Sequence, residues 1–338
     1  MASPSAPPLE FPPEPLPRVR EKWLLHAALF LATFVCVAGL QLLQLGSWSE
    51  ALTFAFCLLA ILTCHELGHY FVGRLHGVSI SPPYFIPIPL GIGTFGAVIR
   101  IRSAIPSRNA LVDIGAAGPI AGMLVAVPLL FWGTAHSHYV QVPYVAGLHF
   151  PGQLSLWNLG AAFVHGFDAS AGALGAKLGA GWSALGPVFN PAHASGWSGD
   201  CLLSWLAQLL TLGPRPMGTD LYLSPVAEAA WWGLLVTMLN LFPVGQLDGG
   251  HVAFALLGEK ARKLGQVVHL AMLGLVVVAS PSWIVWLLLT RWLVGLGHPP
   301  VTRPEEPLST SRYVISAIAL VLLVLTVIPV PFEPRGLM

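Results

Sequence analysis

Apolar residues run along most of this chain in blocks long enough to cross a lipid bilayer. A spanning helix needs about 20 predominantly apolar residues, because it rises 1.5 Å per residue through a hydrocarbon core of about 30 Å. Helices are expected, since lipid offers no partner for a free backbone group. The predicted spans are 23–45, about 50–73, about 114–132, about 226–242 and about 314–330. The apolar region 264–296 is broken at 280–282 and predicts two short spans or a re-entrant pair.

Two stretches interrupt this pattern. Residues 77–106 contain prolines at positions 82, 83, 87 and 89, which exclude a regular helix there. The stretch ends in the alternating sequence AVIRIR (97–102), which predicts a strand. Residues 135–225 are rich in Gly, Ala, Ser and His, and we expect an extracytoplasmic insertion there, with one amphipathic or interfacial helix near 200–212.

The chain is therefore predicted to be an all-α polytopic membrane protein with about six to seven transmembrane helices. Its start, MASPSAPPLEFPPEPLP, holds seven prolines and predicts a disordered tail, not a signal peptide. The predicted parts are a Pro-rich cytoplasmic tail (1–22), an N-terminal transmembrane part (23–134), the extracytoplasmic insertion (135–225), a C-terminal transmembrane part (226–331) and a short tail (332–338).

Composition supports a membrane protein. Hydrophobic residues make up 55% of the 338 residues and charged residues only 9%, against about 25% charged in a soluble domain. The mean hydropathy is +0.73. The net charge is +1 and the basic residues are scattered, so nucleic-acid binding is not expected. The four cysteines form no C-x-x-C pair, which argues against a disulfide scaffold or a zinc ribbon.

The basic residues predict an orientation. If the N-terminus is cytoplasmic and 264–296 crosses twice, thirteen of the 16 lysines and arginines lie on the cytoplasmic side. The exceptions are Lys177, Arg215 and Arg335. This bias is the positive-inside pattern, and it predicts a cytoplasmic N-terminus. The expected location is a bacterial cell membrane, which the chain would cross several times.

Ionisable residues stand inside the second predicted span, in the sequence His65-Glu66-Leu67-Gly68-His69. This is H-E-x-x-H, in which two histidines four residues apart share one helix face and can reach one metal ion. The glutamate between them can act as a general base on a water at the metal. Such groups are costly at bilayer depth, and a divalent metal would compensate them. The alternative is a histidine–glutamate hydrogen-bonded cluster that joins helices.

A catalytic zinc site needs a third protein ligand, and acidic residues in apolar surroundings are few. Asp248 is the candidate, because it follows the fourth predicted span in LNLFPVGQLDGGHV, where Pro243 ends the helix and glycines allow a tight turn. We expect Asp113, beside Arg108, to have a helix-start or interfacial role. Three further aspartates fall in the insertion: Asp168, Asp200 and Asp220.

These motifs together resemble the site-2 protease family of intramembrane zinc metalloproteases. The resemblance rests on H-E-x-x-H, on NALVDIGAAGPIAG (109–122) and on LLVTMLNLFPVGQLDGGH (234–251), and is nearest to the bacterial and chloroplast branch. It covers roughly 50–130 and 223–331. No segment resembles the PDZ domain that many bacterial relatives carry.

The resemblance implies one Zn²⁺ per chain, bound by His65, His69 and Asp248, with Glu66 activating water. It also implies that Asn240 helps to hold substrate, although an interhelical hydrogen bond is the alternative role. Residues after H-E-x-x-H are expected to form a re-entrant β-hairpin near the metal. The implied activity is hydrolysis of peptide bonds in or near transmembrane helices, with a transmembrane protein as substrate and the bilayer as partner.

Other features are assigned lesser roles. GIGTFG (91–96) matches a dinucleotide fingerprint but lacks the preceding strand and following helix. Gly118 and Gly122 form a G-x-x-x-G face for close helix packing. His251 and Cys64 are not expected to be ligands. A membrane metal transporter and a catalytically silent scaffold are the rival functions, and no feature indicates an oligomeric state.

Overall fold

A computed structural model describes residues 21–141, 200–216, 219–278, 282–291, 295, 297–298 and 301–328. Most of the predicted N-terminal tail, the C-terminal tail, the larger part of the insertion and most of the break at 280–282 lie outside the described residues. Asp168, His149, His165 and His193 are also outside them.

The described residues are mainly helical. The helices are α1 (Trp23–Leu45), α2 (Trp48–Leu75), α3 (Arg108–Ala135), α4 (Leu202–Leu212), α5 (Pro225–Leu241), α6 (Asp248–Leu257), α7 (Lys260–Val278), α8 (Trp283–Leu289) and α9 (Thr310–Thr326). Among the described helices, α1, α2 and α3 are long and apolar enough to cross a membrane. The first of these matches the predicted span at both ends, and the second extends it by two residues at each end.

Serine caps explain where the central helices begin. Ser47, Ser107 and Ser224 precede α2, α3 and α5, and each side chain accepts a hydrogen bond from the backbone N–H three residues later. Such caps satisfy one of the N–H groups that a helix leaves unpaired at its start. In α5 the cap is followed by Pro225, whose missing N–H costs nothing at the first helical position.

Two short two-stranded antiparallel sheets accompany the helices. In the first, β1 (Tyr84–Pro87) pairs with β2 (Thr94–Val98), and in the second, β3 (His138–Gln141) pairs with β4 (Thr219–Tyr222). The predicted strand AVIRIR is confirmed only in part, because the regular strand begins at Thr94 and Ile101 forms a single bridge to Ile80. GIGTFG thus leads into a strand, not into a helix.

Helix α3 lies at the centre and packs against α2, α5 and α6. The helix predicted near 200–212 is present as α4, and its Leu203 and Ala207 are buried in the core that α3 and α5 share. Helix α1 lies outside α2, where Val37 is fully buried and Phe30 meets Phe85 of β1 edge-on at 5.0 Å. The bundle therefore surrounds α3 with the elements that carry the predicted site.

Charged residues link the helix ends on one side of the molecule, which we call the basic end. There Arg102 pairs with Glu21 before α1, and the guanidinium keeps the pKa of that carboxyl below its usual value. Asp113, expected to have a helix-start or interfacial role, accepts hydrogen bonds from Arg312 of α9 at 3.1 Å and lies 2.9 Å from His76 Nε2. Arg108 donates hydrogen bonds to two backbone carbonyl oxygens at the end of α6, which have no partner within that helix.

Candidate metal centre

Helix α2 presents both histidines of H-E-x-x-H to the interior. His65 and His69 are almost completely buried, as the i, i+4 spacing on a helix predicts for two residues on the face toward α3. Their Nε2 atoms are 3.2 Å apart and their rings meet edge-on. The helix alone therefore brings two ligand atoms to one point.

The orientation of His69 is fixed by α3. Its Nδ1 lies 2.7 Å from the carbonyl oxygen of Ile114, to which it can only donate. In a neutral imidazole this leaves the lone pair on Nε2, on the side of the ring that faces His65. A backbone carbonyl that fixes the tautomer in this way is a common feature of metal-binding histidines.

Asp248 completes a set of three ligands. It is the first residue of α6, and its Oδ1 is 3.2 Å from His69 Nε2 while its Oδ2 is 3.2 Å from His65 Nε2. One ligand atom from each residue lies within 4.8 Å of the other two. Within the described residues, this is the group of three His, Cys, Asp or Glu side chains that could hold a metal ion. Ligands at ~2.0–2.1 Å in a tetrahedron are separated by about 3.3 Å, close to the spacing here.

The polar atoms of this cluster fit a cation better than they fit one another. Asp248 Oδ2 is buried without a hydrogen bond of acceptable geometry in the described part of the chain. With the His69 tautomer set by Ile114, a nitrogen lone pair faces Asp248 Oδ1, so two acceptors meet. A divalent metal between them removes this conflict without an extra proton, and two imidazoles with one carboxylate are a common catalytic zinc set.

Glycines of α3 make room for the histidines. A Cβ at Gly118 would lie 2.0 Å from His69 Nε2, and one at Gly122 would lie 3.2 Å from His65 Cβ. The predicted close-packing face of Gly118 and Gly122 is therefore present, and the groups packed on it are the imidazoles of the site. Sequence reasoning treated this G-x-x-x-G only as helix packing and missed its contact with the ligands.

Two further predicted residues lie at the cluster. Glu66 is buried, with 7% of its surface exposed, and is adjacent in sequence to the ligand His65. Asn240, in the last turn of α5, has its amide nitrogen 3.2 Å from His65 Nε2. The structure thus brings together four residues that the sequence selected for the site, His65, His69, Asn240 and Asp248, and it buries the fifth, Glu66, next to His65 in the chain.

Other candidates are placed elsewhere. Cys64 and Asp113 are outside the cluster, and Asp200 bonds to Gln208 and Ser204 of α4. His251 contacts His298 at 2.6 Å, a residue that sequence reasoning did not select. The chain separation of 47 residues between these two histidines gave no local signal for their contact.

Comparison with known proteins decides the family. The model of peptidase family M50 matches residues 53–279, which is more than half of the chain and includes every ligand of the cluster. This chain belongs to peptidase family M50. The family resemblance expected from the sequence, to the site-2 proteases, is thereby confirmed.

Curated relatives carry the same chemistry in their names. The chain is 31% identical over 287 residues to the "Probable zinc metalloprotease EGY1, chloroplastic" of Arabidopsis thaliana, covering 83% of this chain and 43% of that protein. It is 28% identical over 308 residues to the "Probable zinc metalloprotease EGY2, chloroplastic" of Oryza sativa subsp. indica, covering 88% and 46%. The chain spans less than half the length of these relatives. No solved structure matches it.

Proposed function

We propose that this M50 chain is a zinc-dependent intramembrane endopeptidase that hydrolyses peptide bonds within or near transmembrane helices of other proteins. One observation carries the proposal: two buried imidazoles and Glu66 lie on a helix long enough to cross a membrane, and the carboxylate of Asp248 faces both imidazoles from α6. Family membership and the zinc metalloprotease names of the relatives support it.

Different residues of the chain have different roles in the proposed reaction. His65, His69 and Asp248 would hold one Zn²⁺, which would supply Lewis-acid polarisation of the scissile carbonyl and of the attacking water. Glu66 takes the proton from that water and delivers it to the leaving amine. Asn240, whose amide lies at the cluster, holds the substrate backbone beside the ligands. Helices α3, α5 and α6 pack together at the site, where both imidazoles are buried.

A transmembrane helix must unwind before it can be cut, because its carbonyls are held in i→i−4 hydrogen bonds. We assign the pairing surface for the unwound segment to the β1–β2 hairpin, a two-stranded sheet whose edges can accept another strand. In this proposal the hairpin is re-entrant, since irregular backbone at membrane depth is tolerated where it lines a cavity. Substrates with Gly, Pro or Asn near the cut are then preferred.

The membrane arrangement of the proposal has six to seven spans, with α5, α7, α8 and α9 added to the three long helices. The N-terminus lies on the side of the basic end, where the positive-inside rule places the cytoplasm of a bacterial cell. The matched plant relatives are chloroplastic by name, so the bacterial compartment stays a prediction for this chain.

A metal transporter is the main rival, because the same three ligands could serve as a transit site. It has no need of a buried glutamate next to the ligands, and Glu66 is therefore the residue that favours a protease. A silent scaffold would keep the metal for stability alone. Both rivals predict that no peptide bond is broken.

Purified full-length protein in liposomes distinguishes these functions. The liposomes hold a reporter protein with one transmembrane helix, and zinc uptake and reporter cleavage are measured in parallel. The proposal expects cleavage without zinc uptake, and loss of cleavage in His69→Ala. Zinc uptake without cleavage would establish the transporter, and neither activity in zinc-loaded protein would establish the scaffold.

A further inference from the structure

The third ligand stands on a helix that is short and uncapped at the site. Helix α6 has ten residues, about 15 Å in length, and Asp248 is its first residue. Its N-cap residue, Leu247, makes no side-chain capping bond. A small rotation of this helix would move the carboxylate away from the histidines, so some other contact must fix the helix.

The other end of α6 is held by one arginine. Arg108 Nε donates to the carbonyl oxygen of Ala255 at 2.6 Å, and its Nη2 donates to that of Leu256 at 3.2 Å. These carbonyls belong to the last turn, where a helix has no partners of its own and where a positive charge is favourable. The planar fork of arginine suits two adjacent acceptors.

Helix α3 meets α6 at a second point, seven residues later along α3 and seven residues earlier along α6. A Cβ at Gly115 would lie 3.0 Å from the backbone oxygen of Asp248 and 2.9 Å from His251 Cβ. Arg108 contacts the end of α6 and Gly115 contacts its beginning, so the two helices run antiparallel with matched spacing. The same face of α3 continues to Gly118 and Gly122, which pack on the histidines.

We infer that Arg108 is a positioning residue for the metal site, which anchors α6 to α3 and thereby holds Asp248 opposite His65 and His69. This inference rests on the proposed zinc site. Positions 108, 115, 118 and 122 are spaced by seven, three and four residues, which places them on one helix face. One face of α3 therefore sets the position of all three ligands.

Zinc affinity of the purified full-length chain tests this role. Arg108→Gln removes both hydrogen bonds and the charge, and we expect zinc affinity, measured by chelator competition, to fall tenfold or more, as is typical for groups that orient a ligand. Arg108→Lys restores a positive donor without the fork and should recover part of the loss. Arg100→Gln, at an exposed arginine near the basic end, is the matched control and should bind zinc like the wild type.

Two further readouts separate positioning from general stability. The cobalt-substituted Arg108→Gln protein should show altered visible absorption bands, because the ligand geometry changes, and its kcat should fall while KM is retained. If Arg108→Gln does not fold, Gly115→Ala shifts α6 from α3 while keeping the arginine, and it should also weaken zinc binding.

The outcomes are distinct. If folded Arg108→Gln or folded Gly115→Ala bound zinc with wild-type affinity and gave the wild-type cobalt spectrum, the inference about Arg108 would be wrong. The proposed function would not be affected by that result. A wild-type chain that binds no zinc would instead contradict the proposed function.

Discussion

Gly118 is the residue where packing and chemistry meet most closely. A Cβ at this position would lie 2.0 Å from His69 Nε2, which is too close for any carbon atom. Gly118→Ala should therefore displace the imidazole and abolish stoichiometric zinc binding, measured as metal per chain after purification. Helix propensity alone would favour alanine, so a loss of zinc cannot come from a weaker helix.

The matched control is Gly39→Ala in α1. A Cβ there meets nothing within 4 Å, so the change should leave zinc content unaltered and the helix as stable or slightly more so. Full zinc content in Gly118→Ala would show that the imidazole is not held where the structure places it.

Asn240 separates substrate binding from metal binding. Asn240→Ala removes an amide that lies 3.2 Å from His65 but keeps all three ligands. We expect unchanged zinc content and a KM raised about fivefold to tenfold, the effect of one lost hydrogen bond of about 1–1.5 kcal/mol. Steady-state cleavage of the reporter measures this. A normal KM with reduced zinc content would assign Asn240 to orienting His65.

The ligands could be predicted from the sequence, but their surroundings could not. His65 and His69 follow from i, i+4 spacing, and Asp248 from its place after a proline-terminated span. The contacts of Gly118 with His69 and of Arg108 with Ala255 join residues 49 and 147 positions apart, and no local periodicity encodes such distances. The sequence therefore selected the three clustered residues but not the α3 face that packs against them.

At the scale of elements, α9 is joined to the bundle by a charged contact. Arg312 donates to Asp113 of α3, which is mostly buried and also contacts His76 at the end of α2. Arg312→Gln should lower stability by about 1–2 kcal/mol, since a partly buried carboxylate loses its strongest donor. The melting temperature in detergent should fall by about 2–6 °C.

Arg303 provides the comparison for this contact. Its pair with Glu306 is largely exposed, at 55% and 34% of the side-chain surfaces, and such pairs contribute little. Arg303→Gln should leave the melting temperature within about 1 °C of the wild type. An equal effect of the two substitutions would contradict the role given to Asp113.

Element boundaries were predictable where hydrophobicity alone decides them. Helix α1 begins and ends at the predicted residues because Lys22 and Gly46 bracket a mainly apolar run that carries no Asp, Glu, Lys or Arg. The strand predicted at 97–102 starts three residues early, at Thr94, because pairing with β1 across the turn at 88–93 sets its register. The residues at which such a strand starts and ends depend on the strand it pairs with, not on the local sequence pattern.

At the scale of the whole molecule, the basic end and the opposite end should face different compartments. Ser49 is exposed in the first turn of α2, at the end opposite to the basic end. Lys263 is exposed in the first turn of α7, at the basic end. In a variant whose four cysteines are replaced, Ser49→Cys should react with an impermeant thiol reagent added outside the cell. Lys263→Cys should react only after permeabilisation. The reverse pattern would invert the proposed orientation.

The overall arrangement combines a predictable membrane class with a less predictable core. Low charge and long apolar runs indicated the helical class, and the paired motifs indicated the family, which M50 membership confirms. The burial of α4 against α3 and α5 did not follow from its sequence, since an amphipathic helix packs equally well on a membrane surface or on a protein core.

The central claim is that Glu66 performs the chemistry and the three ligands hold the metal. Glu66→Gln tests it most directly, because it keeps the size of the side chain and removes only the basic carboxylate. Zinc content and reporter cleavage are measured on the same purified sample. We expect one zinc per chain, as in the wild type, and cleavage reduced at least about a hundredfold. Wild-type cleavage by zinc-loaded Glu66→Gln would contradict the account.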